Sequence, residues 1–259
     1  MTRLLVLLAA IAMPIVAWLT NSGTFGPEHG TMSDRYPTLL VAAGYAFAIW
    51  GLILLLDLVY AGWQLTGTRK TDDTLQRVAP WAAAGFALTT AWMPLFAVSQ
   101  FWLCLLVIFG ATFCLIRCAM ILSHDRTPQE GQWMWAWLPL SLHAGWLSLA
   151  AFLNLAQVVV AYKLASTTDM LPWSLAIFGL AALMLLMVNL RMRGNIYYVI
   201  AALWALVAVY VKQSDSGLAG SQTAAWVALA IASVLVLQTV MLRRKYPGGL
   251  LPNPARATT

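Results

Sequence analysis

Charge is the scarcest commodity in this chain. Asp, Glu, Lys and Arg together make up only 9% of its 259 residues, against about a quarter in ordinary soluble domains. With 61% hydrophobic residues and a mean hydropathy of +0.78, that scarcity excludes a soluble fold and predicts an integral membrane protein. Cysteine is nearly as sparse: Cys104, Cys114 and Cys118 all fall in one apolar segment, which supports neither a disulfide framework nor a metal-site spacing. They read as packing residues. Also missing are a Gly-rich phosphate loop, a nucleophile elbow, paired carboxylates and a lysine at mid-membrane, since Lys212 lies at a helix end. Enzymatic chemistry is therefore not expected. The net charge of +6 comes from basic residues standing singly or in pairs at the ends of apolar segments, a pattern of membrane topology rather than of nucleic-acid binding.

What is present is a series of eight apolar segments long enough to cross a hydrocarbon core of about 30 Å: 4–20, 38–63, 80–98, 101–122, 135–159, 172–190, 196–211 and 222–242. The first, preceded by Arg3, is read as a retained helix because no small-residue cleavage site follows it. If the N-terminus is cytoplasmic, twelve basic residues collect inside: Arg3, Arg69, Lys70, Arg77, Arg117, Arg126, Arg191, Arg193, Arg243, Arg244, Lys245 and Arg256. Only Arg35, Lys163 and Lys212 are left outside. This asymmetry predicts that both termini are cytoplasmic, in a bacterial inner membrane. Trp133, Trp135 and Trp137 then fall at the inner water–lipid boundary and are expected to act as anchors.

Asp57 is the one acidic residue within a predicted span, which makes it a functional candidate. Arg117 lies at a similar depth on a parallel segment, so the two are expected to form a buried ion pair. That pair either sets helix register or carries a proton or cation step in transport. His143 lies one turn after Pro139, and its options are a hydrogen-bonded packing role or contact with a ligand such as haem. His29 and His124 stand in loops.

The stretch 138–158 is apolar enough to span yet carries Trp146, Ala150 and Asn154 at i, i+4 and i+8, along one helical face. That face is either the wall of a site or a packing surface in which Asn154 bonds a neighbouring helix. Among thirteen tryptophans, boundary anchoring does not account for Trp50, Trp92 or Trp146, which fall between mid-membrane and the outer half of their segments. Thr89 and Asn154 lie at compatible depths. Indoles gathered around a few polar groups suit a large planar apolar ligand, with the outer loop 21–37 over the mouth.

Trp146-Leu-Ser-Leu-Ala-Ala-Phe-Leu-Asn154 resembles the fifth-helix motif W-x-x-F-A-x-x-L-N of the TspO/MBR family, the translocator or tryptophan-rich sensory proteins. Leu88-Thr-Thr-Ala-Trp92-Met-Pro94-Leu-Phe96 resembles the family's third-helix motif L-N-x-x-W-x-P-L-F, with Thr89 at the Asn position. Gly44-Tyr-Ala-Phe47-Ala-Ile-Trp50 is similar to its second-helix aromatic run. The resemblance covers about residues 1–160. It implies a five-helix bundle over 1–165 and says nothing of helices six to eight; the apolar segments themselves predict the three-helix extension over 166–259, which ends in a short basic tail. The resemblance also implies a pocket for tetrapyrroles such as protoporphyrin or haem, or for sterol-like lipids, with Trp92, Trp146, Ala150 and Asn154 in its wall.

The expected fold is thus all-α with eight transmembrane helices. The expected function is non-covalent binding, transport or sensing of a porphyrin-like or lipid-like ligand by Trp50, Thr89, Trp92, His143, Trp146, Ala150 and Asn154, with no obligatory cofactor. Two other readings stay open: a proton-coupled transporter using Asp57 and Arg117, and a structural or assembly subunit of a membrane complex, or a homodimer. For the last, Ala201, Ala202 and Ala205 would offer a small-residue face to partner helices.

Overall fold

The computed structural model describes residues 1–246 and is all helical, with no strand among the described residues. Arg256 and the rest of the expected basic tail lie outside the described residues. Helix α1 (Thr2–Asn21) buries Val6, Ala10 and Met13, one stripe at helical spacing, and turns Leu4, Leu5, Leu8 and Ile15 outward. The loop after it contains a short helix, α2 (His29–Asp34), which the sequence did not announce.

The second span starts later than expected. Residues 38–43 are not helical and all but Ala43 are buried, a 3-10 turn covers Gly44–Ala48, and α3 runs Ile49–Trp63. The backbone polar groups of this entry are satisfied from far along the chain. Gln213 Nε2 donates to the carbonyls of Thr38 (3.1 Å) and Val41 (3.0 Å), and the Ala43 N–H donates to Ala208 O at 2.9 Å. Non-helical backbone at membrane depth is tolerated where protein supplies such partners.

Next come α4 (Asp73–Ala97), α5 (Phe101–Ser123), a π turn at Trp133–Trp137, α6 (Leu138–Ala161), α7 (Leu171–Arg191), α8 (Ile196–Asp215) and α9 (Ser221–Lys245). Asp72 caps α4, its Oδ1 accepting from the Leu75 N–H at 2.8 Å, so this helix begins seven residues before the expected 80 and carries Pro80 inside it. Seven of the helical segments are long and apolar enough to cross a membrane. The predicted segment 80–98 falls within α4, which is not among the seven. Two prolines, three threonines and two tryptophans lower its hydropathy, and Thr89 and Trp92 among them are buried against other helices. The chain is an integral, multi-pass membrane protein.

Helix α4 packs between α1 and α5, α5 packs on α6, and α3 is held by α1 and α6. On its other side α6 meets α8 so closely that a Cβ on Gly145 would lie 2.2 Å from Tyr198 O. Ala201 belongs to this contact, and it, Ala202 and Ala205 are all buried within the chain, so they offer no free face to a partner. Trp137 is likewise no boundary anchor: it is 2% exposed and its Nε1 donates to Ser123 Oγ at 2.8 Å. The three cysteines are buried and unpaired, as expected.

Candidate functional site

The three tryptophans singled out in the sequence converge. The Trp50 ring lies 6.1 Å from both Trp92 and Trp146, stacked on the first and edge-on to the second, and all three are buried. Trp50 comes from the first turn of α3, Trp92 from the last two turns of α4 and Trp146 from the middle of α6, so the cluster draws three helices together at one level. Trp92 Nε1 donates to Asn154 Oδ1 at 2.9 Å, and Asn154 Nδ2 donates to Ala150 O at 3.0 Å. Asn154 is therefore bonded to a neighbouring helix through an indole of the cluster, which is the packing reading of that face. The Nε1 donors of Trp50 and Trp146 are buried without a protein partner.

Beneath the indoles sits a buried hydrogen-bonded pair that differs from the expected ion pair. His143 Nδ1 donates to Asp57 Oδ2 at 2.7 Å, both side chains being fully buried. Arg117 is exposed on α5 with its guanidinium 5.8 Å over the Trp81 ring. The expected Asp57–Arg117 pair matched in depth but not in neighbourhood, because α3 packs on α1 and α6 rather than on α5. Thr89 Oγ1 lies 3.4 Å from His143 Nε2, while Trp50 stands edge-on to the imidazole and Phe86 stacks on it. All seven predicted ligand residues thus fall in one connected constellation. Asp57 joins it and Arg117 does not.

Above the cluster the sequence reading missed a participant. His29, 5% exposed at the start of α2, stacks on Trp92 with ring centroids 5.0 Å apart and planes 19° from parallel. Burial pushes its imidazole down to about 4, partly offset by the Met93 backbone carbonyl and the Glu28 carboxylate. Three contacts hold α2 in place. Gln157 Nε2 donates to Ser33 Oγ at 3.1 Å, Lys212 Nζ pairs with Asp34 at 2.7 Å, and Gly26 brings the loop so near α4 that a Cβ there would lie 2.7 Å from Ala97 O. The only sequence signals were a histidine beside an acid and glycines in a loop, which do not specify a stack.

Between α2, α1 and the start of α3 is a cavity of about 180 Å³, lined by His29, Phe47, Trp50, Met93, Asn21 and Glu28 among others. His29 Nε2 and Trp50 Nε1, both without a protein partner, belong to residues of its wall. A ligand here would find aromatic faces and an unpaired hydrogen-bond donor.

No curated protein and no solved structure matches the chain. A family model described as TSPO-like protein matches residues 3–241, a span that takes in the three C-terminal helices as well as the five expected from the motifs, and the chain belongs to that family.

Proposed function

We propose that the protein binds a planar apolar ligand, porphyrin-like or lipid-like, between its indole cluster and the first outer loop. The observation that carries this reading is the stack of His29 on Trp92, in which a ring from a separate short helix in the first loop occupies the face a ligand ring would use. A cavity of about 180 Å³ is smaller than the roughly 300 to 1,000 Å³ of ordinary ligand pockets, so α2 must lift for a tetrapyrrole to enter. Displacing His29 opens Trp92, and the existing space beside Phe47 and Trp50 is then continuous with it. Protoporphyrin or haem is bound as cargo or signal, not as a resident cofactor, and the activity is non-covalent. Titrating purified protein with micromolar protoporphyrin should quench tryptophan emission saturably, and Trp92→Leu should weaken that binding by about tenfold, the loss of one aromatic stacking contact. Emission that is unchanged in the parent protein rules out the tetrapyrrole version.

A second reading is proton-coupled transport, favoured by the fully buried Asp57–His143 pair directly below the ligand cluster. It replaces Asp57–Arg117 as the proton-bearing group. Reconstituted protein should then accumulate ligand in response to a pH gradient, and Asp57→Asn should abolish accumulation while leaving equilibrium binding in place. Equal accumulation with and without the gradient removes this reading.

A further inference from the structure

Outside the indole site, an apolar concavity lies between the first turns of α8 and the basic end of α9. It has a volume of about 500 Å³, walls that include Ile200, Leu203, Val236 and Val240, and Arg243 and Arg244 at its rim. The stretch from Val236 to Arg243 covers seven residues of helix, about 10 Å, so the groove reaches some two thirds of the way through one leaflet's hydrocarbon. Its floor offers no spare polarity. The Thr239 hydroxyl donates to Leu235 O at 2.6 Å and accepts from Asn189 Nδ2 at 3.0 Å. An occupant must therefore be apolar along its length and polar only at the end that meets the arginines.

The charge at that end is of one sign. Lys245 stands on the same end of α9 as Arg243 and Arg244, and Arg191 and Arg193 stand at the end of α7 and in the turn that leads into α8. The single acidic residue between positions 170 and 259 is Asp215, at the opposite end of α8. Neither Arg243 nor Arg244 is in a salt bridge among the described residues. Helix ends elsewhere on the same side differ, since Arg77 and Arg126 share their surface with Asp73 and Asp125. We infer that the α8–α9 groove is a binding site for an anionic phospholipid, an acyl chain lying along Ile200, Leu203, Val236 and Val240 and the headgroup phosphate held by Arg243 and Arg244. A juxtamembrane basic cluster against an apolar interhelical groove is the arrangement that selects acidic lipids over zwitterionic ones.

Native mass spectrometry of the full chain released from nanodiscs of equimolar phosphatidylcholine and phosphatidylglycerol tests this. Phosphatidylglycerol should be retained in preference to phosphatidylcholine. The Arg243→Gln/Arg244→Gln variant should retain it on the order of 30-fold more weakly, corresponding to about 1 kcal/mol for each charge. Ile200→Trp, which fills the groove and keeps both arginines, should lose it too. Arg77→Gln/Arg126→Gln removes equal charge from the same side and should retain it in full. Thermal melting in detergent identifies any variant that has lost its fold, and the groove-filling and charge-removing variants can each decide the matter alone. Equal retention of the two lipids, unchanged retention in both groove variants, equal loss in the Arg77/Arg126 variant, or a dimer in place of lipid adducts would overturn the assignment.

Discussion

Removing one partner of the Asp57–His143 pair leaves the other buried at membrane depth with nothing to replace it, whereas removing both leaves only a packing defect. Asp57→Leu or His143→Leu alone should therefore destabilise the protein by about 3 to 5 kcal/mol, and the double variant by clearly less than the sum. Thermal unfolding of all four proteins in detergent measures the coupling; additive losses would mean that the pair is not a unit. His29 makes a prediction of opposite character, about pH. Above about 6.5 the imidazole is neutral whether docked or free, so stacking costs nothing. As pH falls from 6.5 toward 4, only the undocked form takes up a proton, and docking weakens by about 1.4 kcal/mol per pH unit until the folded value is passed. Tryptophan emission should thus shift between pH 7 and 4.5 in the parent protein. His29→Phe, which keeps the ring and cannot charge, should be flat over the same range, and an equal shift in that variant would assign the effect to another group.

At the scale of elements, two glycines in helices separate close approach from mere occupancy. Gly145 lets α6 and α8 meet backbone to side face, and a Cβ 2.2 Å from Tyr198 O cannot be absorbed by a side-chain rotation. Gly145→Ala should cost at least the 1 to 3 kcal/mol typical of overpacking, read as a lowered melting temperature. Gly179, in α7, has nothing within 4 Å of where a Cβ would stand, so Gly179→Ala should be neutral or stabilise by up to about 1 kcal/mol. A larger loss at Gly179 than at Gly145 would contradict the packing of α6 on α8. This contact also marks the boundary of what the sequence could disclose. Depth along each helix follows from counting residues at 1.5 Å each, which is why Trp50, Thr89, Trp92, Trp146 and Asn154 could be placed at compatible levels. Azimuth and neighbourhood do not follow from counting. Arg117 had the right depth and the wrong helix, and Ala201, Ala202 and Ala205 had the right composition for an interface that turned out to be internal. The unwound entry at 38–43 was illegible for a related reason: its carbonyls are satisfied by Gln213, a residue more than 170 positions away.

For the whole molecule, side-chain ties that owe nothing to a membrane sort the helix ends into two sets. Arg3 donates to the carbonyls of Gln64, Arg69 and Asp72, which fixes the start of α1 to the connection between α3 and α4. Lys212 pairs with Asp34, which fixes the far end of α8 to the first loop. Apart from Arg256, the twelve basic residues assigned to the cytoplasm lie on described segments, and the connection tied by Arg3 holds Arg69 and Lys70. The indole cluster and α2 lie toward the opposite set, so the proposed orientation would admit ligand from outside and present the basic rim of α8 and α9 to the cytoplasmic leaflet. Single cysteines at two exposed positions test it. In intact cells a membrane-impermeant thiol reagent should label Thr31→Cys, beside His29, and leave Thr68→Cys, in the α3–α4 connection, unlabelled until the membrane is opened. Cys104, Cys114 and Cys118 are buried within a span and should stay silent throughout. The reverse pattern would invert the protein, placing the lid and its pH response on the cytoplasmic side and the arginine rim on the outer leaflet. The geometry of both sites would stand, but the first would then sample ligand from the cell interior.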